Sequence, residues 1–109
     1  MIVATGDSIH GHEIVETIGL VRGSAIRTRH VFADVTEWMR NLVGAELHHY
    51  TKMMAEAREQ ALDRMVEHAR KQGADAVVMM RFATSSIASG ASEMLAYGTA
   101  VRLKKNGET

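Results

Sequence analysis

Six histidines, no cysteine and a serine-rich stretch define the chemistry open to this 109-residue chain. His10 and His12 stand at i and i+2 in His10-Gly11-His12-Glu13. On an extended segment that spacing points both rings to one side, so the pair could chelate a metal. His48 and His49 are adjacent and close to Glu46. Neighbours on a helix point about 100° apart, so this second pair chelates poorly alone. Imidazole and carboxylate donors without thiolates suit a divalent transition metal such as zinc, nickel or copper(II) rather than a soft ion. His10, His12, His48 and His49 are therefore the candidate metal ligands. The competing reading of each is a surface histidine with no ligand. An oligomer would favour the metal reading, because it repeats a two-ligand site around its axis.

Three other sets of residues compete with the histidines. Thr84, Ser85, Ser86, Ser89 and Ser92 flank Gly90, where hydroxyls and backbone amides could cradle an anion or serve only as a solvated hairpin. Arg40, Arg58 and Arg81 could line a cleft between subunits or pair with Asp34, Glu37 or Glu59. Asp34, Tyr50, His30 and the serines are types used in acid–base or nucleophilic catalysis, but no spacing makes them converge. Gly6 and Gly11 match neither phosphate-binding glycine pattern. No catalytic residue is assigned, and the balance is against an enzyme. Eight methionines, including Met53-Met54 and Met79-Met80, are read as pliable packing in preference to a copper(I) site.

Composition narrows the classes. Thirteen basic residues balance thirteen acidic ones, so nothing draws in a polyanion, and the short basic stretch at Arg27, Arg29 and His30 is too small to imply nucleic-acid binding. The lack of cysteine removes disulfides, thiolate catalysis and iron–sulfur ligation. No apolar run approaches the roughly 20 residues that span a bilayer, and the first residues do not read as a secretion signal. The expectation is a cytoplasmic protein without membrane or nucleic-acid partners.

The elements that would position these residues follow from periodicity. Residues 1–4 read as a short strand and 13–29 as a long one, with Gly19 and Gly23 marking bulges or close backbone approaches. Asp34 and Glu37 frame a capping box for a short helix at 34–43. From Glu46 to Gln72, the residues Leu47, Tyr50, Met54, Ala57, Ala61, Met65 and Ala69 recur every three or four positions. They predict a long helix ended by Gly73. Residues 74–87 and 91–103 read as a hairpin around Ser89-Gly90, and 105–109 as a frayed tail after a single domain at 1–104. In both hairpin strands each parity is largely apolar: Val78, Met80 and Phe82 against Val77, Met79 and Ala83. One long helix covers one face, so a second copy of the chain is expected to cover the other. The alternative cover is the short helix.

Several stretches taken in order resemble the YbjQ-like family. They are Arg22-Gly23, Asp34, residues 40–44, Tyr50, residues 55–62, residues 73–78 and Ala96-Tyr97-Gly98-Thr99-Ala100-Val101. The resemblance runs from about Ile9 to Leu103. It implies a compact α+β subunit in a ring, typically a homopentamer, and a family label of heavy-metal binding without agreed catalytic residues. One branch of similar proteins is associated with selenium carriage through a cysteine, which this chain lacks. The expected fold is α+β: a curved antiparallel sheet with one short and one long helix, assembling into a ring-shaped homo-oligomer. The expected function is a non-enzymatic ligand-binding or carrier protein, with a metal as nominal ligand. The alternatives are a structural or interaction scaffold without small ligand, and an enzyme whose site forms between subunits.

Overall fold

Alternation of small and branched side chains builds three long strands, and a 3.6-residue spacing of alanines builds the long helix laid across them. A computed structural model describes residues 1–28, 45–88 and 91–107. Its elements are β1 (Ile2–Val3), β2 (His12–Thr28), α1 (Ala45–Lys71), β3 (Ala76–Ala88) and β4 (Ala91–Lys105). The short helix expected at 34–43, its capping box and the Ser89-Gly90 turn lie outside the described residues.

The strands form one open sheet in the order β1-β3-β4-β2. β2 and β3 both run antiparallel to β4, but β1 pairs parallel with β3 through Ile2–Ala76 and Val3–Val77. The sheet is thus mixed and not the purely antiparallel one expected. The difference arises because the chain reaches β3 from β1 only after β2 and α1, a connection long enough to reverse direction. β4 also runs further than expected. Lys104 pairs with Glu13 and Lys105 with His12, and the Asn106 amide donates to the Gly11 carbonyl at 2.9 Å. Lys105 and Asn106, at the beginning of the expected tail, are therefore joined to the start of β2, and residues 108–109 lie outside the described residues.

The core lies between α1 and the β2–β4 half of the sheet. Ala57, Ala61, Met65 and Ala69 face Val21, Ala25, Val77, Met80, Met94, Ala96 and Ala100, all buried. The alanines and glycines set the spacing. A Cβ on Gly23 would strike the backbone of Met65 and Ala61, and would lie 2.7 Å from the Arg64 carbonyl carbon. Gly23 is therefore the close approach that its place within a strand predicts. Register shifts between Ile14 and Glu16, and between Thr17 and Gly19, bulge the first half of β2. A third shift, between Val78 and Arg81, interrupts β3, and there Met79 takes φ 55°.

The opposite face is closed at one end only. Ala76, Val78 and Val101 are buried there beneath Ile9, Ile14 and Leu103. Beyond them the face opens: Leu20 is 68% exposed and Ile26 55%.

The shape is extended. The radius of gyration is 17.9 Å, against about 13 Å for a compact domain of this length. The accessible surface is 7276 Å², against about 6,000 Å² for a compact monomer of 12.0 kDa.

Candidate functional site

The histidines divide between the two ends of the molecule. His10 lies in the turn that enters β2, where Gly11 takes φ 78°, and His12 is the first residue of the strand. The pair spans a turn and not the extended segment on which its same-side geometry was argued. His12 Nδ1 lies 3.0 Å from the His10 carbonyl oxygen. A carbonyl only accepts, so Nδ1 is the donor, and in the neutral ring the lone pair then sits on Nε2. A ring oriented in this way by a backbone carbonyl presents Nε2 as a metal donor.

His48 and His49 occupy adjacent positions in the first turns of α1. The helix runs antiparallel to β2. The His68 ring reaches Arg22, and Arg64 reaches Ser24. The start of α1 therefore lies toward the Thr28 end of the strand, and His12 lies at the other, along an axis of 61 Å. The two histidine pairs cannot meet in one copy. Among the described residues no three His, Asp or Glu side chains come together as a metal site. Among the described residues, one copy thus supplies an oriented imidazole but not the three or four donors a tightly held divalent metal takes. Without thiolates the donor set also fits a soft heavy metal poorly.

The other candidates are placed as follows. Arg81 donates to the Thr5 carbonyl at 2.7 Å and the Met80 carbonyl at 2.8 Å, so it pins the loop after β1. Arg58 is exposed on α1. Ser85 stands opposite Glu93 and Ser86 opposite Ser92 in the hairpin ladder. A carboxylate beside the hydroxyls opposes an anion. His30, Asp34, Glu37 and Arg40 lie outside the described residues, as does the side chain of Tyr50.

Two residues not singled out by the sequence do structural work on the outer side of β2. Arg64 donates to the Ser24 carbonyl at 2.5 Å. His68 Nδ1 lies 3.2 Å from the Arg22 amide and 3.3 Å from its carbonyl, accepting from one or donating to the other according to its tautomer. Their i and i+4 spacing on α1 was the available signal, but it could not name a strand as the target. Alongside, Arg27 of β2 and Lys52, Ala55, Glu56, Glu59, Gln60 and Asp63 of α1 line an open groove. Gln60 Oε1 is shielded there with no hydrogen-bond partner, while the charges mix and do not converge on a point.

Comparison with known proteins supplies the remaining finding. Residues 1–104 match the YbjQ family profile, described as "Putative heavy-metal-binding". A UPF0145 protein of Thermosipho africanus is 51% identical over 108 residues, covering 99% of this chain and all of that one. A UPF0145 protein of Halorubrum lacusprofundi is 55% identical over 104 residues, covering 95% of this chain and all of that one. Among solved structures, a protein with unknown function that belongs to the DUF74 family, from Pediococcus pentosaceus, superposes with a TM-score of 0.61 at 13% identity, over 95% of this chain and 98% of that one. At that identity the likeness speaks to the fold alone.

Proposed function

This chain belongs to the YbjQ family, and from that membership we propose that it works as a homo-oligomeric, non-enzymatic ligand-binding or carrier protein. The assembly is a ring, a homopentamer, in the cytoplasm, and its nominal ligand is a divalent transition metal. One observation carries the reading. Apolar side chains exposed on the sheet face away from the helix, Leu20 at 68% and Ile26 at 55%, support cover by further copies. The membrane reading stays negative in one respect: no helix among the described residues is long and apolar enough to cross a bilayer.

The metal is placed between copies. His12 Nε2 is presented for ligation, and the ligands missing from one copy come from the His10-His12 pair of a neighbour, or from His48 and His49 where a neighbour's helix start approaches. When bound, the metal would contribute ligation and no chemistry of its own. A scaffold without small ligand is the second reading, favoured by the apolar residues left exposed along β3, of which Phe82 is 43% and Ile87 54% accessible.

Native mass spectrometry of untagged protein, purified without chelator or nickel resin, tests both. A pentamer that retains or takes up zinc, nickel or copper supports the carrier, and His10→Ala/His12→Ala should then lose the metal while keeping the ring. A pentamer that stays metal-free at low micromolar metal sinks the metal reading and leaves the scaffold. A monomer removes both.

A further inference from the structure

One row of the sheet carries an arginine on either side of a tyrosine. The ladder pairs Arg22 of β2 with Tyr97 of β4, and Tyr97 with Arg81 of β3. Their sequence neighbours Val21, Ala96 and Met80 are buried against α1. Alternation along a strand therefore turns Arg22, Tyr97 and Arg81 to the face away from the helix. For Arg81 this depends on the bulge in β3. Val78 stands opposite Thr99, and an unbroken ladder would put Met80 opposite Tyr97. The extra residue, with Met79 at φ 55°, sends Met80 into the core and brings Arg81 beside Tyr97. Re-aiming a side chain is a known use of such bulges.

The row is close and partly preset. Arg22 turns its backbone groups to His68 and away from β4, so it forms a non-hydrogen-bonded pair with Tyr97, the kind in which side chains stand nearest. Adding the hydrogen-bonded step from Tyr97 to Arg81 sets the two arginine Cα atoms roughly 10 Å apart, a gap that two guanidinium groups can close over the ring between them. Arg81 is already oriented. Its Nη1 donates to the carbonyls of Thr5 and Met80, which leaves Nε and Nη2 for another acceptor. Among the described residues neither arginine meets a carboxylate, and the ion pair found there joins Arg102 to Glu16. Glu93 shares this face of β4 but lies four residues along, roughly 13 Å away and beyond the Debye length of about 8 Å at physiological salt.

We propose that Arg22, Tyr97 and Arg81 form a binding site for the phosphate group of a small molecule. A guanidinium fork matches an oxyanion with two parallel hydrogen bonds. A phosphate monoester carries close to two negative charges at neutral pH and has oxygens for both forks, whereas a carboxylate balances one. The Tyr97 ring gives the guanidinium planes a surface to lie on, and its hydroxyl adds a donor. The site needs neither the metal nor the ring proposed above. It is compatible with the ring, because the row lies between Leu20 and Ile26 on the same face. Copies that cover those two residues would enclose the row with them, and two guanidinium groups taken out of water require a counter-charge.

Chelator-treated protein titrated with inorganic phosphate at constant ionic strength, with chloride as the reference salt, tests the site through the nuclear magnetic resonance signals of the Tyr97 ring. Phosphate should move them saturably. Arg22→Gln and Arg81→Gln should each weaken binding roughly ten-fold or more, and Tyr97→Phe by about three-fold, with the helical circular dichroism of the parent kept. Arg81→Gln also releases the loop after β1, so Arg22→Gln is the deciding variant. A response that chloride reproduces, or that Arg22→Gln leaves intact, overturns the proposal. So does a response that appears only with added zinc and is lost in His10→Ala/His12→Ala, which would belong to the metal. Signals that ignore phosphate, together with a lower urea midpoint for Arg22→Gln, would show that the row is paired within the protein, and the proposal falls.

Discussion

β2 and β3 flank the same central strand, share its ladder geometry and end up opposite in character. β2 lies under a helix that touches its backbone, and it receives side-chain hydrogen bonds from Arg64 and His68. Among the described residues, β3 is paired on its outer side only over its first residues, by the short β1 and the loop that follows. The cause is the helix's path. With alanine at 57, 61 and 69, α1 can approach β2 closely at Gly23, and a helix drawn to that edge packs on β3 only near its start, at Val77 and Met80. The same packing that secures one edge leaves the other without cover among the described residues. An unequal sheet of this kind is stable as one copy only where it is covered, and its uncovered side is available for association.

The largest test of the contrast removes the close approach. Gly23→Ala places a methyl group against helix backbone, where no side-chain rotation can relieve it. The expected cost is about 3 kcal/mol, at the upper end of overpacking effects, read as a lower urea midpoint at unchanged slope. The equivalent change on β3, Phe82→Ala, alters a side chain that is 43% exposed and should cost a single copy about 1 kcal/mol or less. Equal losses at both sites would mean that the two edges are not as different as their packing indicates.

A smaller effect is expected from uncovering β2 without moving the helix. Arg64→Ala and His68→Ala each remove an exposed hydrogen bond to the strand, so the pair should cost roughly 1 kcal/mol together. Their more telling readout is association. With the Arg22 and Ser24 backbone groups released, the double variant should form species larger than the parent assembly in sedimentation, because a second edge has become available. An unchanged size distribution would show that the bulges alone close β2.

Much of the helix and its neighbours was legible in the sequence. The alanine spacing at 57, 61 and 69 marked the packed face, Gly23 marked the close approach, and both-sided apolar character marked β3 and β4 as more than a half-solvated sheet. The parallel placement of β1 was not legible, because two residues carry no periodicity and pairing direction is set by the path of the connecting chain. Nor was the end of β4: the strand reading stopped at Leu103, and only the pairing of Lys104 and Lys105 with Glu13 and His12 makes them strand. The candidate site was legible in type and not in place. Histidine spacing named possible donors, but a turn at Gly11 and the antiparallel course of α1 decide that the two pairs lie apart. The contrast of edges escaped because side chains such as Arg64 and His68 find their strand only through the tertiary path of the helix.

The smallest expected effect concerns Met79, which stands where the covered part of β3 gives way to the bare part. Its φ of 55° is left-handed, a conformation that brings Cβ close to the following carbonyl in any residue but glycine. The backbone accepts this because the Met79 amide donates to the Gly6 carbonyl at 2.9 Å, and the next amide donates to Ala4 at 3.0 Å. The side chain gives little in return, since it is 44% exposed. Met79→Gly should relieve about 1 kcal/mol of strain and lose somewhat less through the added freedom of the unfolded chain, for a net gain near 0.5 kcal/mol. The sign decides more than the size. A stabilised single copy that still assembles would show that the bulge serves only to tie down the loop after β1. A stabilised copy that assembles less well would show that the exposed Met79 side chain itself takes part in association.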